Sequence, residues 1–188
     1  MPLKIFRVSS VTAPYEDFSK IPADRLEFAT DRGTKTHDYL HAYIQGLWAI
    51  KPEGAEGYCE SGERWIDSNV VRVISCERHY VDEALGFGGH PDAVVEVKSR
   101  KIWIPDYKTP VNVAKSWALK LAAYKHLVCK AHRFNPDNVI CGALMLSPTG
   151  GNAKFQRGED RWAADFAIFL GLLNAAKYFK GGDHEDFR

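Results

Sequence analysis

An apolar run ends at the triplet Asp106-Tyr107-Lys108, and Gly89-His90-Pro91-Asp92 lies about fifteen residues upstream. Successive side chains of an extended chain point to opposite faces, so Asp106 and Lys108 share one face roughly 7 Å apart while Tyr107 turns the other way. Ile102 and Ile104 fall on the Asp106 face, which makes it apolar at its base and charged at one end, as at the rim of a core. Asp92 is in phase with His90 and Val94 on the neighbouring run. A hairpin between the two runs brings Asp92 and Asp106 together without any long-range assumption. Two carboxylates with an ammonium beside them suit a site that holds a hard cation and activates water. The plainer reading is an ion pair at a strand end, which adds little stability.

Helical spacing runs through His37, Leu40, His41, Ile44 and Trp48, predicting a helix over 34–50 that ends at Lys51-Pro52-Glu53-Gly54. Residues 1–30 read as irregular or short helical structure, and 58–67 as a second short helix with Trp65 and Ile66 inward. β-Branched runs over 70–81 and 87–97 predict two strands, Lys98-Ser99-Arg100-Lys101 a hairpin tip, and 102–108 a third strand. A helix follows over 113–131 on the stripe Val113, Trp117, Leu121, Tyr124 and Val128. A turn at 135–138, a strand over 139–146 and a closing helix carrying Trp162, Phe166, Phe169, Leu170 and Leu173 complete the order, before a polar tail from Gly181. The expectation is one α/β domain over 1–188, with a mixed central sheet flanked by helices, a core over about 30–146 and a C-terminal helix over about 160–180.

At 188 residues the chain buries a genuine core, and 45% apolar with 26% charged residues is ordinary for a soluble protein. It has no apolar run of about twenty residues and no secretory leader at Met1-Pro2-Leu3-Lys4, so neither a membrane span nor export is expected and a cytoplasmic location is. Cys59, Cys76, Cys129 and Cys141 lie far apart with no CxxC pair, which argues against a zinc ribbon and for reduced thiols. The net charge of +1 requires any nucleic-acid contact to use local basic patches. No Gly-rich phosphate loop followed by Lys-Ser/Thr is present.

In this order and spacing the chain resembles the RecB-like, phage-type exonuclease branch of the PD-(D/E)XK nuclease superfamily. Gly33-Thr34-Lys35-Thr36-His37, preceded by Arg32, looks like the family's Gly-x-x-x-His helix start. Glu77 falls where the family often carries a glutamate on its first core strand. Phe87 to Asp92 resembles the Gly-x-x-Asp strand, and Ile104 to Thr109 the Asp-x-Lys-Thr motif. Trp117 to Tyr124 is similar to the following Gln-x-x-x-Tyr helix, and Ser10-Val11-Thr12 to the family's opening segment. The likeness runs from about residue 8 to 146. It implies a restriction-endonuclease-like core in αβββαβ order.

The resemblance further implies that His37, Asp92, Asp106 and the carbonyl of Tyr107 hold Mg²⁺ or Mn²⁺, and that Lys108 is the catalytic lysine. On helical spacing alone, beside Leu40 and Ile44 on the inward stripe, His37 reads more often as a satisfied core histidine, and the resemblance reverses this. Glu77 either orients the attacking water or pairs with Arg78, His79 or a lysine across the sheet. Lys120 stands where the family has glutamine, and either grips a phosphate or pairs with Asp106 and alters metal affinity. Pro105 removes a backbone donor and suggests an edge or a kink. The cysteines match neither half of the iron–sulfur pattern of some relatives, so no cluster is expected.

Substrate contacts are assigned to Lys120, Tyr124, Lys115 and Arg100, with Lys98, Lys101, Lys125, Lys130, His132 and Arg133 as further basic groups or simply a solvated face. The tryptophans are core by pattern, with Trp103 the candidate base-stacking exception. The implied function is a metal-dependent deoxyribonuclease, an exonuclease of phage or bacterial recombination, repair or genome processing. It would work on DNA, with or without a partner protein from such a system. A structure- or sequence-specific endonuclease, a non-catalytic nucleic-acid-binding subunit and a metal-binding domain with an unrelated hydrolase activity are the alternatives.

Overall fold

The computed structural model describes residues 4–17, 19, 21–109, 114–157 and 161–180. Among these the chain forms eight strands and five α-helices in two mixed sheets. The larger sheet has the order β2(Val70–Cys76), β5(Ala93–Val97), β6(Ile102–Lys108), β7(Val139–Met145) and β8(Lys154–Arg157). Its β2, β5 and β6 are antiparallel neighbours, whereas β6 and β7 run parallel, joined through α4(Ser116–His132). The smaller sheet has the order β1(Phe6–Arg7), β4(Phe87–Gly89) and β3(Tyr80–Asp82).

Alternation along the strands divides the core between two faces. Val94, Ile104 and Val139 pack with α4, with α1(Val8–Thr12) and with α5(Trp162–Lys180). Val95, Val97, Tyr107 and Leu144 pack on the other side with α2(Ala23–Ile44) and α3(Glu56–Asn69). The mixed α/β architecture with helices on both faces agrees with the sequence expectation. None of the helices described is long and apolar enough to cross a membrane.

Several boundaries differ, each for a local reason. Helix α2 begins at Ala23 behind Pro22, so Gly33 lies inside it rather than at its start. It ends at Ile44, where Gly46 adopts φ +71°. Trp48 therefore falls beyond the helix and is 85% exposed, not on the inward stripe. The α4 helix starts at Ser116, and Val113 is outside the described residues, as is the tail from Gly181. Strand β8 escapes prediction because its burial pattern is that of an exposed edge with only Phe155 partly inward.

The largest difference concerns the two long strands expected over 70–81 and 87–97. Each is broken in the middle. Together they make one bent hairpin, whose inner half (β2 with β5) belongs to the large sheet and whose outer half (β3 with β4) belongs to the small one. The corner is made by Glu77 at φ +48° on one side and by His90-Pro91-Asp92 on the other, tied by Glu77 N–H donating to the Asp92 carbonyl at 3.2 Å. β-Propensity is high on both sides of such a corner, so composition does not register it.

Candidate functional site

The bend in the hairpin sets two acidic residues side by side beyond the end of β5. Asp92 is the residue just before that strand and is buried. Glu77 is half-buried opposite it. From the α2 side His37 reaches the same place. One ligand atom from each of His37, Glu77 and Asp92 lies within 4.8 Å of the other two.

Pro105 explains how strand β6 meets them. Pairing of β6 with β5 extends only to Trp103 opposite Val95. Lys101 offers its carbonyl to Val97 on that side, so by the two-residue period Trp103, Pro105 and Tyr107 also direct their backbone groups there. Proline has no N–H to donate, and the ladder stops. Pro105 thus lies in a central strand, paired through Gly142 to β7, and is edge-like on one side only.

The next backbone donor on the vacant side is Tyr107 N–H, which Asp92 Oδ2 accepts at 2.6 Å. The Tyr107 carbonyl faces His37 Nε2 at 2.9 Å. That carbonyl, a candidate metal ligand by resemblance, is therefore engaged by His37.

This contact fixes the imidazole's tautomer. A carbonyl accepts only, so Nε2 carries the proton. The opposite nitrogen, Nδ1, stands 3.5 Å from Asp92 Oδ1. A neutral ring would aim a lone pair at a carboxylate, an arrangement that needs either a second ring proton or a cation between the two. Burial alone lowers the His37 pKa, but the Asp92 charge and hydrogen bond outweigh it, with a net upward shift. Asp92 shifts downward: burial opposes ionisation, and His37, Lys108 and Lys120 more than offset it. Glu77 is pushed up to about 7 by burial and then by the Asp92 charge.

Asp106 lies on the α4 side of the sheet with Ile104 and Lys108, as alternation requires, while Tyr107 packs among the α2 and α3 side chains. It is 1% exposed. Lys108 Nζ pairs with its Oδ2, and Lys120 Nζ stands 3.3 Å from Oδ1. Neither oxygen accepts a well-aligned hydrogen bond from any described group, so charge rather than hydrogen bonding holds this carboxylate. Lys108 rests over the Trp117 ring at 5.3 Å, a support that depends on how α4 crosses β6 and leaves no mark in local sequence.

Helix α2 is held to the end of β6 a second time, by Arg32 donating to the Thr109 carbonyl at 3.0 Å. Gly89 is required by packing. A Cβ there would stand 2.6 Å from Tyr124 Cε1 and 3.1 Å from Val8 Cγ2.

His37, Glu77, Asp92, Asp106, Lys108 and Lys120 thus surround one stretch of β6. Other expected contacts fall elsewhere. Arg100 lies at the opposite end of β6 from the acidic cluster, about 20 Å of extended chain from Asp106, and Lys98 and Lys101 flank it. Tyr124 is buried behind Lys120, whose ammonium lies 5.5 Å from its ring. Lys115 is exposed at the α4 N-terminus.

Lys125 is buried against Trp162, Lys130 pairs with Asp82, and His132 bonds the Tyr80 hydroxyl, so these three serve the fold. Trp103 is partly buried, stacks on Phe155 at 4.4 Å and packs by Trp65, so its ring also serves the core. The cysteines described are all free. No protein-family model matches the sequence, and no curated protein is significantly similar to it.

Proposed function

We propose that this protein is a Mg²⁺- or Mn²⁺-dependent deoxyribonuclease with a restriction-endonuclease-like core, of the RecB-like kind its motifs resemble. The observation that carries the reading is the convergence of His37, Glu77 and Asp92 within 4.8 Å, next to an Asp106–Lys108 ion pair on the adjoining strand. Carboxylates with one imidazole are a donor set that a divalent cation accepts. The buried Asp106 oxygens, without aligned hydrogen bonds, fit the same role.

His37, Glu77, Asp92 and Asp106 would hold the cation. Bound there, it would supply Lewis-acid stabilisation of a phosphodiester and of the attacking water. The chain's own part is positioning and proton handling. Asp106 and Trp117 fix the Lys108 ammonium, which would offset charge on the reacting phosphate and orient the attacking water. Asp92 and His37 lock the Tyr107 peptide, which keeps Asp106 and Lys108 in register. Exonuclease action on DNA in recombination, repair or genome processing, with or without a partner protein, follows from the resemblance.

The test is digestion of end-labelled linear and closed-circular DNA, single- and double-stranded, with Mg²⁺, Mn²⁺ or EDTA. Metal-dependent loss of linear DNA, absent in Asp106→Ala and Lys108→Ala, supports the exonuclease. Nicked circles move the reading to an endonuclease. A second reading, a non-catalytic nucleic-acid-binding subunit, is favoured by the two lysines that already neutralise Asp106. Binding of DNA without any cleavage would establish it.

A further inference from the structure

We propose that Lys120 is a displaceable counter-ion, which occupies Asp106 until a divalent cation takes its place. Metal entry then requires this side chain to leave. The inference rests on the metal-centre reading above.

Asp106 is the one acidic group of the site with both oxygens facing ammonium groups among the described residues. The two lysines are not equivalent. Lys108 extends from β6 itself, two positions from Asp106, with a side chain 14% exposed and an ammonium backed by Trp117. Lys120 reaches in from α4, is 23% exposed, and stands at 3.3 Å, the looser of the two contacts. Its four-carbon stem has the rotational freedom to carry the charge outward.

Charge points the same way. Asp106 already faces two ammonium groups, so a divalent cation on the same carboxylate would meet two like charges in a buried place, which is costly. Withdrawing Lys120 removes one of them. Glutamine at this position has no charge to withdraw, so the lysine makes metal loading conditional on an alternative anion for its ammonium. A phosphate of the bound strand is such an anion. By linkage, metal and DNA would each strengthen the binding of the other.

The test is calorimetric titration of Mn²⁺ into the full chain without DNA, for wild type, Lys120→Gln and Lys120→Arg. Thermal melts in EDTA and in Mn²⁺ accompany it. Lys120→Gln is expected to bind Mn²⁺ on the order of tenfold tighter than wild type, because an opposing charge is gone. It should also melt lower in EDTA yet gain more on adding Mn²⁺. Lys120→Arg keeps the charge and stays weak. Lys120→Met, which keeps an unbranched apolar stem without the charge, is read in the same way should the glutamine variant not fold. Equal or weaker Mn²⁺ affinity in the uncharged variants overturns the role of Lys120 and leaves the metal centre standing. Absence of Mn²⁺ binding in every variant and in wild type overturns both.

Discussion

The carboxylate of Asp92 accepts the backbone N–H of Tyr107 at 2.6 Å, in the position a neighbouring strand would have filled had Pro105 not ended the ladder. One acidic side chain thereby serves as a strand cap and as a member of the acidic cluster. The two roles are separable by substitution. Asp92→Asn keeps an acceptor for Tyr107 and loses the charge. It should lose only the stability of the charge contacts in urea, whereas Asp92→Ala loses about 1–3 kcal/mol more by stranding a buried donor. Both should lose Mn²⁺ binding by calorimetry. Wild-type metal affinity in the asparagine variant would remove Asp92 from the site.

Glu77 combines a left-handed backbone at φ +48° with a half-buried carboxylate next to Asp92. Both features disfavour folding and persist where a site requires them. Asparagine tolerates the left-handed region and carries no charge. Glu77→Asn should therefore raise metal-free stability by roughly 1 kcal/mol while weakening Mn²⁺ binding. Chemical denaturation in EDTA measures the first effect. A clear loss of stability there would mean that Glu77 serves packing instead.

Asp82 lies outside the proposed site, 1% exposed, and accepts from Lys130 at 2.5 Å, from His126 at 2.8 Å and from Leu85 N–H at 3.0 Å. Burial opposes its ionisation, but the Lys130 and His126 hydrogen bonds prevail and hold its pKa at about 2, below the usual 3.8. A depressed carboxylate stabilises the fold above its unfolded pKa and loses that contribution as pH falls through the folded value. The contribution, about 2 kcal/mol, should be complete above pH 5 and decline between about pH 4 and pH 2. Urea titrations of wild type and Asp82→Asn across this range should converge at the acid end. A gap independent of pH would assign the loss to packing.

Gly89→Ala places a Cβ 2.6 Å from the Tyr124 ring and 3.1 Å from Val8, both buried. The expected loss is about 1–3 kcal/mol. Gly89→Ala combined with Tyr124→Leu should recover part of it, because the two side chains compete for one space. Strict additivity in the double-mutant cycle would show that this contact does not decide the glycine.

Much of this arrangement was determined by sequence alone. The period of two along Ile102–Lys108 put Asp106 and Lys108 on one face and Tyr107 on the other, because the alternation of a strand is covalent geometry. Hairpin spacing likewise brought Asp92 to β6. The helical stripe through His37, Leu40 and Ile44 oriented α2, since a period of 3.6 is equally local. What only the tertiary structure decided lies where two elements meet. The corner at Glu77 and Pro91 splits two uniform β-rich runs between two sheets, and propensity is blind to it. The partner of Lys120, the Trp117 surface under Lys108 and the buried position of Tyr124 depend on how α4 crosses β6, a matter of long-range packing. Arg100, a substrate contact by expectation, stands at the tip before β6, and the length of that seven-residue strand separates it from the acidic cluster. Local periodicity chooses the face on which a side chain stands, and only packing between distant segments chooses what it faces.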